Sequence, residues 1–259
     1  MNKTVFIAWR GGSSERGEWS PVARLEHANG EYRFVYTQGA RMLSGFHPFP
    51  GMPDLEAVYR SRALFPMLTN RLLSRSRPEY EAWLTWGGFD PKDPPEPLAV
   101  LGVTEGIRQT DALEVFARPL PDAQGNYTTR FFLHGLRHAS PQAHERLSTL
   151  QADNTLRVEL EGDNARDPRA VAVLDDGAQR LRLGYVPRYL ARDVRALVVH
   201  GGAESIDLRV ARINPGAPLQ MRVLCALAAP WPRAFEPCAG AEFQPIAGVV
   251  DIERVAHSA

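Results

Sequence analysis

Glu161-Gly-Asp-Asn-Ala-Arg-Asp-Pro-Arg-Ala-Val-Ala-Val173 is a polar loop that feeds an alternating strand, and Leu183-Gly-Tyr-Val-Pro-Arg-Tyr-Leu190 is a strand that turns sharply into a helix. Strand stretches this short, each closed by turn chemistry or by a helix start, belong to a small β-rich domain. The pattern continues outward. Thr129 to Leu136 reads as a strand, and Ser140-Pro141 caps a helix reaching about Leu150. Leu156 to Glu161, Ala170 to Leu174, Leu181 to Val186 and Ile206 to Ile213 are further strands, with a helix from Pro187 to about His200 between the last two. Five short strands and two brief helices predict a small barrel over residues 128–225. The tail, 226–259, is rich in Ala and Pro and is expected to pack as irregular structure.

Upstream the texture differs. Val5 to Trp9 predicts a strand, and Val22 to Glu26 with Tyr32 to Thr37 predicts a pair joined by His27-Ala-Asn-Gly30, whose Asn-Gly step marks a hairpin. From Pro53 to Trp86 the apolar period becomes helical, with Leu64, Phe65, Leu68, Leu72 and Leu73 in register and Pro78 opening a second helix through Tyr80, Trp83 and Trp86. Pro97 to Val103 is one more short helix and Leu113 to Phe116 a strand. Pro119-Leu-Pro-Asp-Ala-Gln-Gly-Asn126 is the best boundary, so the chain reads as α+β: a mixed strand and helix domain, 1–122, ahead of the barrel.

Of 30 basic residues only Lys3 and Lys92 are lysine, and neither lies in a phosphate-binding loop, which argues against P-loop and kinase chemistry. Arginine is suited to forked contacts with phosphate. The net charge is zero, so no strong field over the whole molecule draws in nucleic acid. The first apolar run is too short for a membrane span or a signal peptide, which points to the cytoplasm. Cys225 and Cys238 fit that compartment as free thiols, with a disulfide between them as the less favoured alternative. His134 and His138 lack a third ligand at zinc spacing, no nucleophile elbow occurs, and Trp83 and Trp86 read as core. No catalytic, metal or cofactor site is expected.

Asp163, Asn164, Arg166, Asp167 and Arg169 crowd a connection that needs only two or three turn residues. Two readings stand for Asn164 and Asp167: Asx turns to their own backbone, or directional hydrogen bonds to a sugar or base. Tyr185 is either a stacking face or a core residue.

Leu133-His-Gly-Leu-Arg-His-Ala139, Asn164-Ala-Arg-Asp167 before Ala170-Val-Ala-Val173, and Gly184-Tyr-Val-Pro-Arg188 resemble, in order and spacing, the motifs of the HIRAN domain. The resemblance implies an OB-like barrel that captures the 3′ end of single-stranded DNA. It implies that Asp167 hydrogen-bonds the free 3′-hydroxyl with Asn164 beside it, that Arg137 meets the backbone, and that His138 lines the pocket. Where the best-studied members carry an aromatic stacker before the aspartate, this chain has Arg166, whose guanidinium plane can also stack. Arg137, His138, Asn164, Arg166, Asp167, Tyr185 and Arg188 form the expected DNA-binding set.

Tyr32-Arg-Phe-Val-Tyr36, Leu64-Phe-Pro-Met-Leu-Thr-Asn-Arg71 and Ser76-Arg-Pro-Glu-Tyr80 resemble the N-terminal subdomain of HipA-type toxin kinases. That resemblance, over roughly 15–118, implies protein docking without phosphoryl transfer. The expected function is therefore a non-enzymatic protein that captures DNA ends and docks a partner. The alternatives are an antitoxin-like regulator of a HipA-type kinase with little DNA affinity and, least favoured, a nuclease acting at ends.

Overall fold

The computed structural model describes residues 3–11, 18–108, 112–165 and 167–248. The first strands are β1 (Lys3–Gly11), β2 (Glu18–Ala28), β3 (Glu31–Tyr36), β4 (Tyr59–Ser61) and β5 (Leu113–Ala117). Helices α1 (Gln38–Met42), α2 (Pro66–Thr69), α3 (Tyr80–Trp86) and α4 (Pro97–Thr104) fall among them. Then come β6 (Asn126–Phe132), α5 (Pro141–Thr149), β7 (Thr155–Leu160), β8 (Val171–Asp175) and β9 (Arg182–Tyr185). Helix α6 (Arg188–Gly201), β10 (Asp207–Ile213) and β11 (Val223–Pro230) complete the order.

Two compact units result. One takes the chain up to Leu72, Glu96–Arg118 and the stretch from Cys238; the other takes Leu73–Pro95 and Pro119–Pro237. Besides the break expected at 119–126, the chain therefore also passes between units at 72/73, 95/96 and 237/238.

The first unit is a five-stranded antiparallel sheet in the order β4-β3-β2-β1-β5. At the hairpin tip Asn29 and Gly30 hold φ of 53° and 74°, the positive values a two-residue primed turn requires, and Ala28 pairs with Glu31. Strand β1, which lies between β2 and β5, is buried on both faces. Val5 and Ile7 join a core with Leu25, Phe34 and Tyr36, while Phe6 stacks on Phe116 and meets Phe243 edge-on. Thr37 bridges to Pro245, which fastens the returning chain to this unit.

The long helical period expected between Pro53 and Trp86 is not realised: α2 is a single turn and α3 seven residues. The apolar spacing is present, but Pro66 can only start a helix, and the run Ser74-Arg-Ser-Arg-Pro78 interrupts it. Within the second unit, the Trp86 carbonyl accepts from Asn214 Nδ2 at 3.1 Å, and Arg130 lies over the Phe89 ring at 5.2 Å. Helix α3 is thereby tied to the barrel strands.

That unit is a six-stranded antiparallel sheet in the order β6-β11-β10-β7-β8-β9. Register breaks at Val173/Leu174 and Val210/Arg212 bend it. A bridge between His134 and Tyr185 joins the ends of the two edge strands, giving a curled half-barrel. Leu156, Val158, Val171, Val173, Leu183, Leu208 and Val210 are buried in it. The Oγ of Ser140 accepts from Ala143 N at 3.1 Å, capping α5 as its sequence requires.

The tail expected to be irregular from 226 contains strand to Pro230, because β11 fills the gap between β6 and β10. Val223, Leu224 and Cys225 are all buried, and the half-exposed positions that follow are Ala226 and Ala228, so the sequence of the strand carries no polar alternation to read. Cys225 and Cys238 are both buried thiols, not joined in a disulfide. Among the described residues, no helix is long and apolar enough to cross a membrane.

Candidate functional site

Strand β6 ends at Phe132, and the chain crosses to the opposite edge of the sheet. His134 N donates to the Tyr185 carbonyl at 3.0 Å, and Tyr185 N donates back to the His134 carbonyl at 2.9 Å. Two glycines permit this closeness. A Cβ on Gly184 would lie 2.5 Å from the His134 carbonyl oxygen, and one on Gly135, whose φ is +76°, would lie 2.9 Å from the Tyr185 ring. The left-handed Gly135 then opens a 3₁₀ turn, Leu136–His138, which buries Leu136 and leaves Arg137 and His138 exposed. Arg137 Nε donates to His138 Nε2 at 3.0 Å.

The loop between β7 and β8 is built on Glu161. Its carboxylate accepts Asn164 Nδ2 at 2.8 Å, Arg182 Nη1 at 3.0 Å and the Tyr185 hydroxyl at 3.2 Å. With its amide so oriented, Asn164 Oδ1 accepts the Asp167 main-chain N–H at 3.1 Å. Asp167 Oδ1 in turn accepts from Arg169 N at 2.9 Å, an Asx turn, and Oδ2 accepts from Arg188 Nε at 2.9 Å. The local-turn reading of Asn164 and Asp167 therefore holds for both residues. The Asp167 carboxylate is nonetheless not held by main chain alone, because its second oxygen reaches the first residue of α6.

Arg182 covers one face of the Tyr185 ring at 5.4 Å. The ring is part of the network and not a bare stacking platform. Burial pushes the Glu161 carboxyl up, but hydrogen bonds from Asn164 and Arg182, the Arg182 charge and the Tyr185 hydroxyl outweigh it and hold the group below its ordinary range. Burial first, and the Glu161 charge second, push the Tyr185 hydroxyl up. The ring hydroxyl thus stays a donor to an ionised carboxylate near neutral pH.

The three sequence stretches meet here: the first joins the third through His134 and Tyr185, and the second joins the third through Asn164 with Tyr185, 3.5 Å apart, and Asp167 with Arg188. Arg166 lies outside the described residues. Two side chains of the corner are absent from the expected set: Glu161, which accepts from three side chains, and Arg182, which donates to Glu161 and covers the Tyr185 ring. Glu161 closes a strand as an ordinary exposed-end acid would, and nothing in the local pattern around Arg182 distinguishes it from a solvated arginine. Among the described residues no group of three His, Cys, Asp or Glu could hold a metal ion.

Residues 126–231 match the family model described as the HIRAN domain, a span that contains every residue of this corner. Two solved structures resemble part of the chain. A protein from Lactobacillus plantarum is 19% identical, with 40% of this chain and 99% of that one covered at a TM-score of 0.30. The HIRAN domain of human HLTF is 12% identical, with 42% of this chain and 81% of that one covered at a TM-score of 0.31. No curated protein matches the chain.

Proposed function

We propose that the half-barrel is a binding module for the end of a single DNA strand and carries no catalytic role. The observation that carries this reading is the convergence of the three HIRAN-like stretches on one corner, whose turn, strand and helix start carry Arg137, Arg182 and Arg188 and whose hydrogen-bond network runs through Asp167. Guanidinium groups supply phosphate contacts, and most of the affinity of such a site is electrostatic. Selectivity for the end comes from Asp167. A carboxylate accepts up to about four hydrogen bonds, so a 3′-hydroxyl can donate to it alongside Arg169 N and Arg188. A 3′-phosphate in the same place meets like charge.

Polarisation of labelled single strands ending in either a 3′-hydroxyl or a 3′-phosphate tests this, with wild type and Asp167→Ala. A hydroxyl preference that the substitution abolishes is expected. Equal and negligible binding of both strands by both proteins removes the reading. For the unit built on β1–β5, a protein-docking role rests on the HipA-type resemblance alone, whose last segment, Ser76 to Tyr80, belongs to the other unit.

A further inference from the structure

Glu161 is the side chain through which the whole corner is organised, and as an ionised carboxylate it only accepts, from three side chains of this chain. It receives Asn164 from its own loop, and Arg182 and Tyr185 from β9. The bond to Asn164 decides which end of that amide faces which way. With Nδ2 on the carboxylate, Oδ1 is turned to the Asp167 N–H, and the Asp167 side chain then faces Arg188. The order Glu161, Asn164, Asp167, Arg188 is thus a single chain of hydrogen bonds, and its two ends are anchored in the same run, Arg182 to Arg188. A network of this kind is fixed only when every member is satisfied.

Resting on the end-binding reading above, we propose that Glu161 is a positioning residue whose carboxylate sets the orientation of Asn164 and so the placement of Asp167 for the strand end. It touches no DNA. Its charge works against phosphate binding in the plain electrostatic sense, and that opposition makes its role separable from electrostatics. Glu161→Gln keeps the size of the side chain and removes one negative charge from a DNA-binding face. Electrostatics alone then raises affinity for every strand. Loss of positioning instead leaves Asn164 free to turn, because a glutamine can present its NH₂ to the Asn164 NH₂ as readily as its oxygen.

The test uses the full chain, with labelled strands ending in 3′-hydroxyl or 3′-phosphate, and compares wild type, Glu161→Gln and Tyr185→Phe. For Glu161→Gln, binding of the phosphate-ended strand is expected to hold or tighten while the hydroxyl preference falls about tenfold, the scale of one charge-assisted hydrogen bond. Tyr185→Phe removes the hydroxyl's bond to Glu161 and its 3.5 Å contact with Asn164 but no charge, and a smaller loss of preference in the same direction is expected. An undiminished hydroxyl preference in Glu161→Gln overturns the proposal. So does an equal loss of both strands by a variant that still melts cooperatively, since that is the mark of a merely structural residue. If Glu161→Gln does not fold, Tyr185→Phe decides alone, and an unchanged preference there overturns the proposal. A wild type that shows no hydroxyl preference sinks the end-binding reading itself, a result distinct from wild-type preference retained in the variants.

Discussion

Arg188 donates its Nε to Asp167 Oδ2 across 2.9 Å, linking the first residue of α6 to the loop that enters β8. The two side chains are 33% and 17% exposed, so the pair is neither buried outright nor a solvated surface bridge. Its charges are partly shielded from water and retain some strength. On the proposed end-binding reading, removing Arg188 has two effects: a phosphate partner is lost, and Asp167 is released from its orientation.

For Arg188→Ala, single-strand affinity is expected to fall roughly tenfold and the slope of log affinity against log salt to shrink by about one unit. Arg188→Lys keeps the charge without the fork, so the slope should recover while the hydroxyl preference does not. Polarisation titrations at several salt concentrations separate the two. A slope unchanged in Arg188→Ala places the DNA elsewhere.

Gly184 explains how the edges of the half-barrel meet. A methyl group there would sit 2.5 Å from a backbone carbonyl oxygen, which has no flexible side chain to move aside. Gly184→Ala is expected to cost about 1–3 kcal/mol by overpacking, and to weaken end binding because the His134 to Tyr185 bridge must open. Gly162 is the control. Nothing lies within 4 Å of a Cβ placed there, so Gly162→Ala should melt close to wild type. Matching melts for the two variants would contradict the close approach.

Much of this corner was legible in the chain because its signals are local. The Gly-Tyr-Val-Pro-Arg run states strand and helix start in five residues, and the crowded loop before Ala170 marks itself by holding more polar residues than a turn needs. Three things were not legible. Strand β11 has alanine at its half-exposed positions, Ala226 and Ala228, and so carries no polar alternation, and its composition resembled a loose apolar tail. The helical period around Leu64 to Leu73 was real but was cut by residues that cannot sustain a helix, leaving a single turn. The hub role of Glu161 depends on Arg182 and Tyr185, residues about 20 positions away that only the barrel's curvature brings to it.

Cys225 lies fully buried in β11, and burial pushes its thiol up to about 12. The thiolate is the reactive form, so this cysteine should resist thiol reagents in the native protein and label only on unfolding. Mass spectrometry of peptides after timed labelling, with and without denaturant, reads this directly. Rapid native labelling of Cys225 would mean that β11 opens readily from between β6 and β10.

The depressed Glu161 carboxyl ties stability to pH, and its sign is fixed by the direction of the shift. A group whose proton is bound more weakly in the folded chain stabilises the fold at pH values above its unfolded pKa. That contribution is lost as pH falls through the folded value, because the unfolded state takes up the proton first. The groups facing it are Arg182 and Tyr185 from β9 and Asn164 from its own loop, and of these only Arg182 is charged over the relevant range. Glu161→Gln has no proton to take up. Its melting temperature should lie below wild type near neutrality and converge with it as the medium is acidified from about pH 6 to about pH 3. The difference between the two curves isolates this carboxylate from every other acid in the chain, since all the rest are common to both proteins. A gap that stays constant across that window would mean that Glu161 binds its proton equally in both states, and that the network holds it by shape and not by charge.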